Sequence, residues 1–278
     1  MMIFDAQPSH ADARVTRHRS FDARREMTTP APRARACVRV IEDFIDAAFE
    51  RETLASWCEV HARGLVQLHG RRCAALGGTV HAKGTIAVDD IPRDVRELMA
   101  ACSARVREEF RDGAMCIADD DDDAAHASLS RALESFEANH ALVNVYDDGC
   151  GILPHEDGPL YAPVVCIVSC GASRSMRFEP KRRRESMTMT RDGDEGRDDD
   201  DSQASDATFE VCLPARSLLV FYGAAYTDYL HGIDDETSAE EARRDATSAS
   251  RGPRVSLTLR RVLNMKKGFE FLTRKRQT

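Results

Sequence analysis

His155-Glu156-Asp157 sets an imidazole and a carboxylate two residues apart, inside the stretch NVYDDGCGILPHED that runs from Asn144 to Asp157. Side chains on extended backbone alternate with period two, so both groups project from the same side. A nitrogen and an oxygen ligand placed in this way can grip one face of a metal ion. A third ligand from elsewhere, usually a histidine, would complete a facial triad with open positions. Alone, an H-x-D is a weak signal, and its weight depends on what the rest of the chain supplies.

Two later features carry chemistry of their own. His231 follows the apolar run Leu218-Leu219-Val220-Phe221, in the segment YTDYLHGI. Nearer the end, Arg254, Ser256, Thr258 and Arg260 alternate strictly with Val255, Leu257 and Leu259. The apolar face of such a strand packs on a core and sends two guanidinium groups and two hydroxyls to the other side. Solvent would meet them on an isolated strand. Inside a jelly roll they would line the interior, where a buried arginine needs an anion and suits a carboxylate best. Six residues of strand separate the two arginine Cα atoms by roughly 20 Å, at about 3.3 Å per residue. One carboxylate cannot easily engage both, but a short dicarboxylate between two inward-reaching side chains can.

The elements that must position these groups differ between the two halves. Val38-Val40-Ile41 and Phe44-Ile45 lead into an amphipathic helix through Trp57, marked by Phe44, Ala48, Phe49, Leu54, Trp57 and Cys58, with His61 at its end. The basic, Gly-rich stretch from Gly70-Arg71-Arg72 to Gly77-Gly78 and Lys83 reads as a hairpin or loop with short strands. Asp90-Ile91-Pro92 opens a second helix, with Val95, Leu98, Met99, Cys102 and Val106 as its buried stripe. A short third helix is expected over Leu129, Leu133 and Phe136. The second half reads as strands: Leu142–Tyr146, a continuous β-branched run at Val164–Ser169, Met176–Phe178, Phe209–Leu213, Leu218–Phe221 and Arg254–Val262. This pattern predicts an α+β protein whose core is a double-stranded β-helix (jelly roll), flanked by helices from the N-terminal half.

The chain of 278 residues is 31% charged and carries a formal net charge of -8. Two aspartate runs, Asp119–Asp123 and Asp198–Asp201, hold nine of the carboxylates; with those set aside the remainder carries +1. A near-neutral folded part permits a local basic groove without demanding one. Three flexible insertions are expected, near 117–128, 181–207 and 234–252, between a disordered extension over 1–36 and a basic tail over 265–278. The Arg-rich N-terminus has some character of an organellar transit peptide, but Asp5, Asp12, Asp22 and Glu26 count against that reading. The nine cysteines form no C-x-x-C pair and are expected to be reduced. The longest apolar run, around Pro163 to Cys170, is too short to span a bilayer, and no membrane partner is expected.

Together, N-x-Y before H-x-D, a distal His and a closing R-x-S-x-T-x-R strand resemble the AlkB family of Fe(II)- and 2-oxoglutarate-dependent dioxygenases. More narrowly, NVYDDGCGILPHEDGPLYAP, RSLLVFYGAAYTDYLHGI, RVSLTLRRV and the earlier HGRRCAALGG resemble the sixth AlkB homologue of animals and plants. The resemblance covers most of 37–264. It implies that His155, Asp157 and His231 ligate Fe(II), and that Arg254 pairs with the distal carboxylate of 2-oxoglutarate, helped by Ser256 and the Tyr146 hydroxyl. Arg260 and Asn144 would then sit nearer the end of the co-substrate that chelates iron. One departure concerns substrate: Ala75-Leu76 precede Gly77-Gly78 where relatives are expected to carry an aromatic.

The activity implied is oxidative dealkylation of an alkylated base in DNA or RNA, consuming O₂ and releasing aldehyde, succinate and CO₂. Arg71, Arg72, Lys83, Lys266, Lys267, Arg274, Lys275 and Arg276 are candidate contacts to a nucleic-acid backbone, with ordinary surface charge as the competing reading. Two other functions stay open: an oxygenase acting on protein or a small molecule, and a nucleic-acid-binding protein with little catalytic activity. The expected state is a monomer in nucleus and cytoplasm.

Overall fold

From strand β6 (His140–Tyr146) onward, the chain path crosses between two sheets at almost every connection. The strands that follow are β7 (Ile152–His155), β8 (Tyr161–Gly171), β9 (Arg174–Pro180), β10 (Phe209–Leu213), β11 (Leu218–Tyr222), β12 (Tyr229–Ile233) and β13 (Arg254–Val262). β6, β8, β11 and β13 belong to one sheet, and β7, β9, β10 and β12 to the other. Only β9 and β10 follow each other within one sheet, as antiparallel neighbours. This is the jelly roll that the alternation predicts. The computed structural model describes residues 33–81, 84–87, 91–115, 117, 123–181, 207–236, 252–263 and 265–267.

The larger sheet has seven strands in the order β1-β11-β8-β13-β6-β3-β2, with β1 (Val38–Ile41), β2 (Val66–Leu68) and β3 (Arg71–Leu76) added from the N-terminal half. The smaller runs β10-β9-β12-β7. A third sheet joins β4 (Thr79–His81), β5 (Gly84–Ala87) and β14 (Met265–Lys267). Helices α1 (Ala47–Ala55) and α3 (Asp123–Glu134) lie on β8, and α2 (Arg93–Arg111) packs against α3.

β8 is an interior strand of the large sheet, and α1 and α3 pack against it. Val164 to Cys170 are all buried, and the run contains a single polar side chain, Ser169. β13 lies between β8 and β6, and its two faces diverge as the alternation requires. Val255, Leu257 and Leu259 are 0–1% exposed and join the main apolar cluster. Each contributes roughly 1.5–3 kcal/mol of burial. The opposite face of β13 looks across to the smaller sheet.

Several boundaries move from their expected places. Val38–Ile41, expected to lead into the first helix, is a strand paired with β11, as its β-branched residues favour. The first helix starts only at Ala47, where the Asp46 carboxylate caps it by accepting from the Phe49 amide at 2.8 Å. Ala48 is exposed, Thr53 is buried, and the last turn, Ser56–Val60, widens to a π-helix. α3 begins at Asp123, within the stretch expected as a flexible insertion over 117–128, and ends at Glu134 with Phe136 buried just beyond it. Arg33–Cys37 form a 3-10 turn with Ala34 and Cys37 buried, so the folded part reaches into the expected extension. Met265–Lys267 pair with β5, which removes them from the expected tail. At Asp234–Glu236 the third insertion is partly tied down: Arg174 meets Glu236 at 2.8 Å, and Asp235 accepts from the Gly151 amide at 2.7 Å. Most of the remaining insertion and terminal residues, with Lys83, Arg274, Lys275 and Arg276, lie outside the described residues.

Candidate active site

β7 ends at His155, and Asp157 follows two residues on, just past the strand. His231 lies in the middle of β12 as the Cα partner of His155. Antiparallel pairing thus brings two histidines face to face, with ring centroids 4.4 Å apart. Ligand atoms of His155, Asp157 and His231 all lie within 4.8 Å of one another. No other group of three or more His, Cys, Asp or Glu side chains could hold a metal among the described residues. The eight described cysteines form no disulfide with one another.

Each of the three groups is prepared as a ligand. His155 Nδ1 lies 2.8 Å from the Leu153 carbonyl. A carbonyl only accepts, so the proton resides on Nδ1 and the Nε2 lone pair is open. Burial pushes the His231 pKa down to about 4, against a smaller upward pull from Asp157, and the ring stays neutral at physiological pH. Phe221 and Phe178 pack around it at 4.8 and 6.2 Å between centroids. Asp157 accepts a hydrogen bond from Arg260 on Oδ1, while its buried Oδ2 has no partner among the described residues. That free oxygen lies 3.7 Å from His231 Nε2. A buried carboxylate oxygen beside two imidazole nitrogens is a donor set suited to Fe(II).

Glycine makes the close crossing of β7 and β12 possible. A Cβ on Gly151 would lie 1.9 Å from the Ile233 carbonyl oxygen, and one on Gly232 would lie 2.9 Å from the Ile152 oxygen and the Pro154 nitrogen. Neither position has room for a side chain.

Across from the triad, β13 presents Arg254, Ser256, Thr258 and Arg260, all buried. Arg254 is paired in register with Tyr146 of β6, and Ser256 with Asn144. Arg254 is 1% exposed, and its guanidinium stands 4.8 Å over the Tyr146 ring. Nη2 donates to Ser169 Oγ at 3.1 Å, whereas Nε and Nη1 have no partner among the described residues. A buried guanidinium with only one neutral acceptor is costly unless an anion joins it. A carboxylate end of a dicarboxylate fits this place. At the other end of the strand, Arg260 lies 4.2 Å from the Tyr161 ring centroid and reaches Asp157.

Of the eight residues singled out from the sequence, His155, Asp157 and His231 cluster together, while Asn144, Tyr146, Arg254, Ser256 and Arg260 lie on β6 and β13, where Arg260 reaches Asp157. A model of the 2OG-Fe(II) oxygenase superfamily matches residues 71–260, a span that holds every one of them. The chain belongs to the 2OG-Fe(II) oxygenase superfamily. The oxygenase is also similar to "Probable RNA/DNA demethylase ALKBH6" of Danio rerio, with 29% identity over 249 residues, covering 86% of this chain and 91% of that protein. Among solved structures, that of OsALKBH1 aligns with a TM-score of 0.46 and 13% identity, over 83% of this chain and 99% of that one. As a dioxygenase of this superfamily it uses Fe(II), 2-oxoglutarate and O₂, and the open donor set and anion-seeking arginine fit the first two.

Four contributors escaped the sequence reading. Ser169 is the one hydroxyl in the apolar run Val164–Cys170, a signal the sequence carries. Tyr161, six residues after His155, supplies the ring beneath Arg260. Tyr226 donates to the Gly158 carbonyl at 2.7 Å and so fixes the turn beyond Asp157. Arg71, a candidate contact to a nucleic-acid backbone, donates from Nε to Asn144 Oδ1 at 3.1 Å. Register reveals Arg71, and contacts between separate elements reveal the two tyrosines.

Proposed function

We propose that this oxygenase removes alkyl groups oxidatively from bases of DNA or RNA, releasing an aldehyde, succinate and CO₂. In this reading His155, Asp157 and His231 hold Fe(II). Arg254, with Ser256 and the Tyr146 hydroxyl, takes the distal carboxylate of 2-oxoglutarate, and Arg260 and Asn144 lie toward its chelating end. When bound, metal and co-substrate supply the oxidation of the alkyl carbon. The protein's own share is to orient. Arg260 steadies Asp157, Nδ1-protonated His155 and neutral His231 offer fixed lone pairs, and the apolar rings around His231 keep water out.

The observation that carries the reading is the facial His/Asp/His group set opposite a buried, under-partnered Arg254. The nucleic-acid substrate rests on the similarity to the zebrafish protein named above, together with a folded part near neutrality once the aspartate runs are set aside. A base must leave its stack to reach a metal between two sheets, so single strands or flipped bases are the expected form. The protein would act as a monomer in nucleus and cytoplasm. Ala75, exposed on β3, and Leu76 leave no aromatic ahead of Gly77, which favours a substrate held by contacts other than stacking there.

Mass spectrometry of N-methylated single- and double-stranded DNA and RNA oligonucleotides, incubated with Fe(II), 2-oxoglutarate and O₂, tests the substrate. The expected result is loss of the methyl group from at least one oligonucleotide, matched by succinate. Succinate formation stimulated only by peptides or small molecules would transfer the activity to those substrates.

A further inference from the structure

Arg71 opens β3 as the Cα partner of Tyr146, which is itself paired on its other side with Arg254. Partners in register share a face, so Arg71, Tyr146 and Arg254 form one row on the inner side of the large sheet. The next row on that face is Cys73, Asn144, Ser256 and Ser169. Arg71 is half-buried and leans from its own row into the second, where Nε donates to Asn144 Oδ1 at 3.1 Å.

Asn144 is 3% exposed, and Arg71 is the only hydrogen-bonding partner of its side chain among the described residues. A carboxamide has one accepting and one donating end, and these look alike to the surrounding backbone. An N–H that claims the oxygen settles the choice: Nδ2 becomes the end left for the cavity. Without that N–H the amide could turn over and offer its oxygen to the oxygens of a bound 2-oxo acid, an unfavourable pairing of two acceptors.

We propose that Arg71 is a positioning residue for the co-substrate, setting the Asn144 amide so that its NH₂ donates to 2-oxoglutarate. The inference rests on the placement of Asn144 beside the co-substrate in the proposed function. It assigns the role to one atom, Nε, and not to the positive charge.

That distinction supplies the test. Glutamine puts its Nε2 where arginine has Nε, keeping the donor and dropping the charge; lysine keeps the charge but puts a methylene there. 2-Oxoglutarate is titrated calorimetrically into the Mn(II)-loaded full chain without oxygen, for R71A, R71K, R71Q, N144A and the double variant R71A/N144A. R71A and R71K are expected to bind about tenfold more weakly, the loss of one directed hydrogen bond. R71Q should stay within about twofold of the parent, and the double variant should be no weaker than N144A alone. If R71A does not fold, the contrast between R71Q and R71K decides. R71K binding like the parent while R71Q fails would overturn the proposal, as would independent, additive losses from R71A and N144A. Unchanged binding by N144A would remove Asn144 from the co-substrate and this proposal with it. The dealkylation reading, judged on oligonucleotides, would still stand.

Discussion

Arg260 donates to one oxygen of Asp157, and the other, buried and without a hydrogen-bond partner among the described residues, faces His231 Nε2 across 3.7 Å. The pair therefore aims a single lone-pair-bearing oxygen at the place where the two imidazoles converge. Arg260→Met would free the carboxylate to rotate and leave its charge uncompensated in a buried place. Loss of such an orienting partner typically costs 10–100-fold in metal affinity. We expect a loss of roughly that size in an anaerobic Fe(II) or Co(II) titration, with the fold retained by circular dichroism.

Arg254 should affect the co-substrate and not the metal. Its Nε and Nη1 have no acceptor among the described residues, and truncating a buried charged partner costs about 2–5 kcal/mol. Arg254→Met is expected to weaken 2-oxoglutarate binding by at least about thirtyfold while Co(II) affinity stays unchanged. Arg254→Lys should recover little, because a point charge does not reproduce the planar fork. Calorimetry with each ligand in turn separates the two effects.

Gly151 tests the strand crossing. A methyl group there would sit 1.9 Å from the Ile233 carbonyl oxygen, a backbone atom that cannot turn away. Gly151→Ala must push β7 from β12 and separate His155 from His231. Weakened metal binding and a lowered Tm are expected together; metal affinity equal to that of the parent would show that the crossing does not set the ligand geometry.

Acid should destabilise the protein through His140. This residue is 1% exposed, is paired in register with Arg260, and packs 5.8 Å from the Tyr161 ring. Burial first, and then the charge of Arg260, pushes its pKa down to about 4, while the Gly78 backbone and Asp157 pull weakly upward. The unfolded chain titrates near the ordinary value of about 6.5, so between these two values it binds more protons than the folded one. Stability is full above the upper value, falls as pH drops toward the lower one, and levels off beneath it. His140→Phe is expected to remove on the order of 2 kcal/mol of that acid sensitivity, read from denaturant unfolding across this range.

The jelly roll was legible because β8 and β13 carry unambiguous patterns, one apolar throughout and one strictly alternating. Those patterns follow from where each strand lies in the large sheet. His155 and Asp157 could be paired from spacing alone and the arginine strand pointed to a dicarboxylate, whereas the ligand role of His231 and the end of the co-substrate met by each arginine entered through the family motifs. What stayed hidden depends on register. Nothing local in Arg71 distinguishes an outward cation from one tied to Asn144, 73 residues away. Val38–Ile41 was ambiguous for a similar reason, since a short apolar run becomes a strand only when an edge such as β11 is available to it. Asp234–Glu236 read as the start of a flexible insertion because its partners, Arg174 and Arg177, lie on a distant strand.

The triad and the arginine strand are proposed to form one iron and 2-oxoglutarate site. Anaerobic addition of Fe(II) and then 2-oxoglutarate, followed by visible charge-transfer absorption, tests it most directly. The band is expected in the parent chain, at one equivalent of each ligand. It should be absent in Asp157→Ala and His231→Ala, and shifted to much higher 2-oxoglutarate concentration in Arg254→Met. A band of unchanged intensity and concentration dependence in Asp157→Ala would contradict the account.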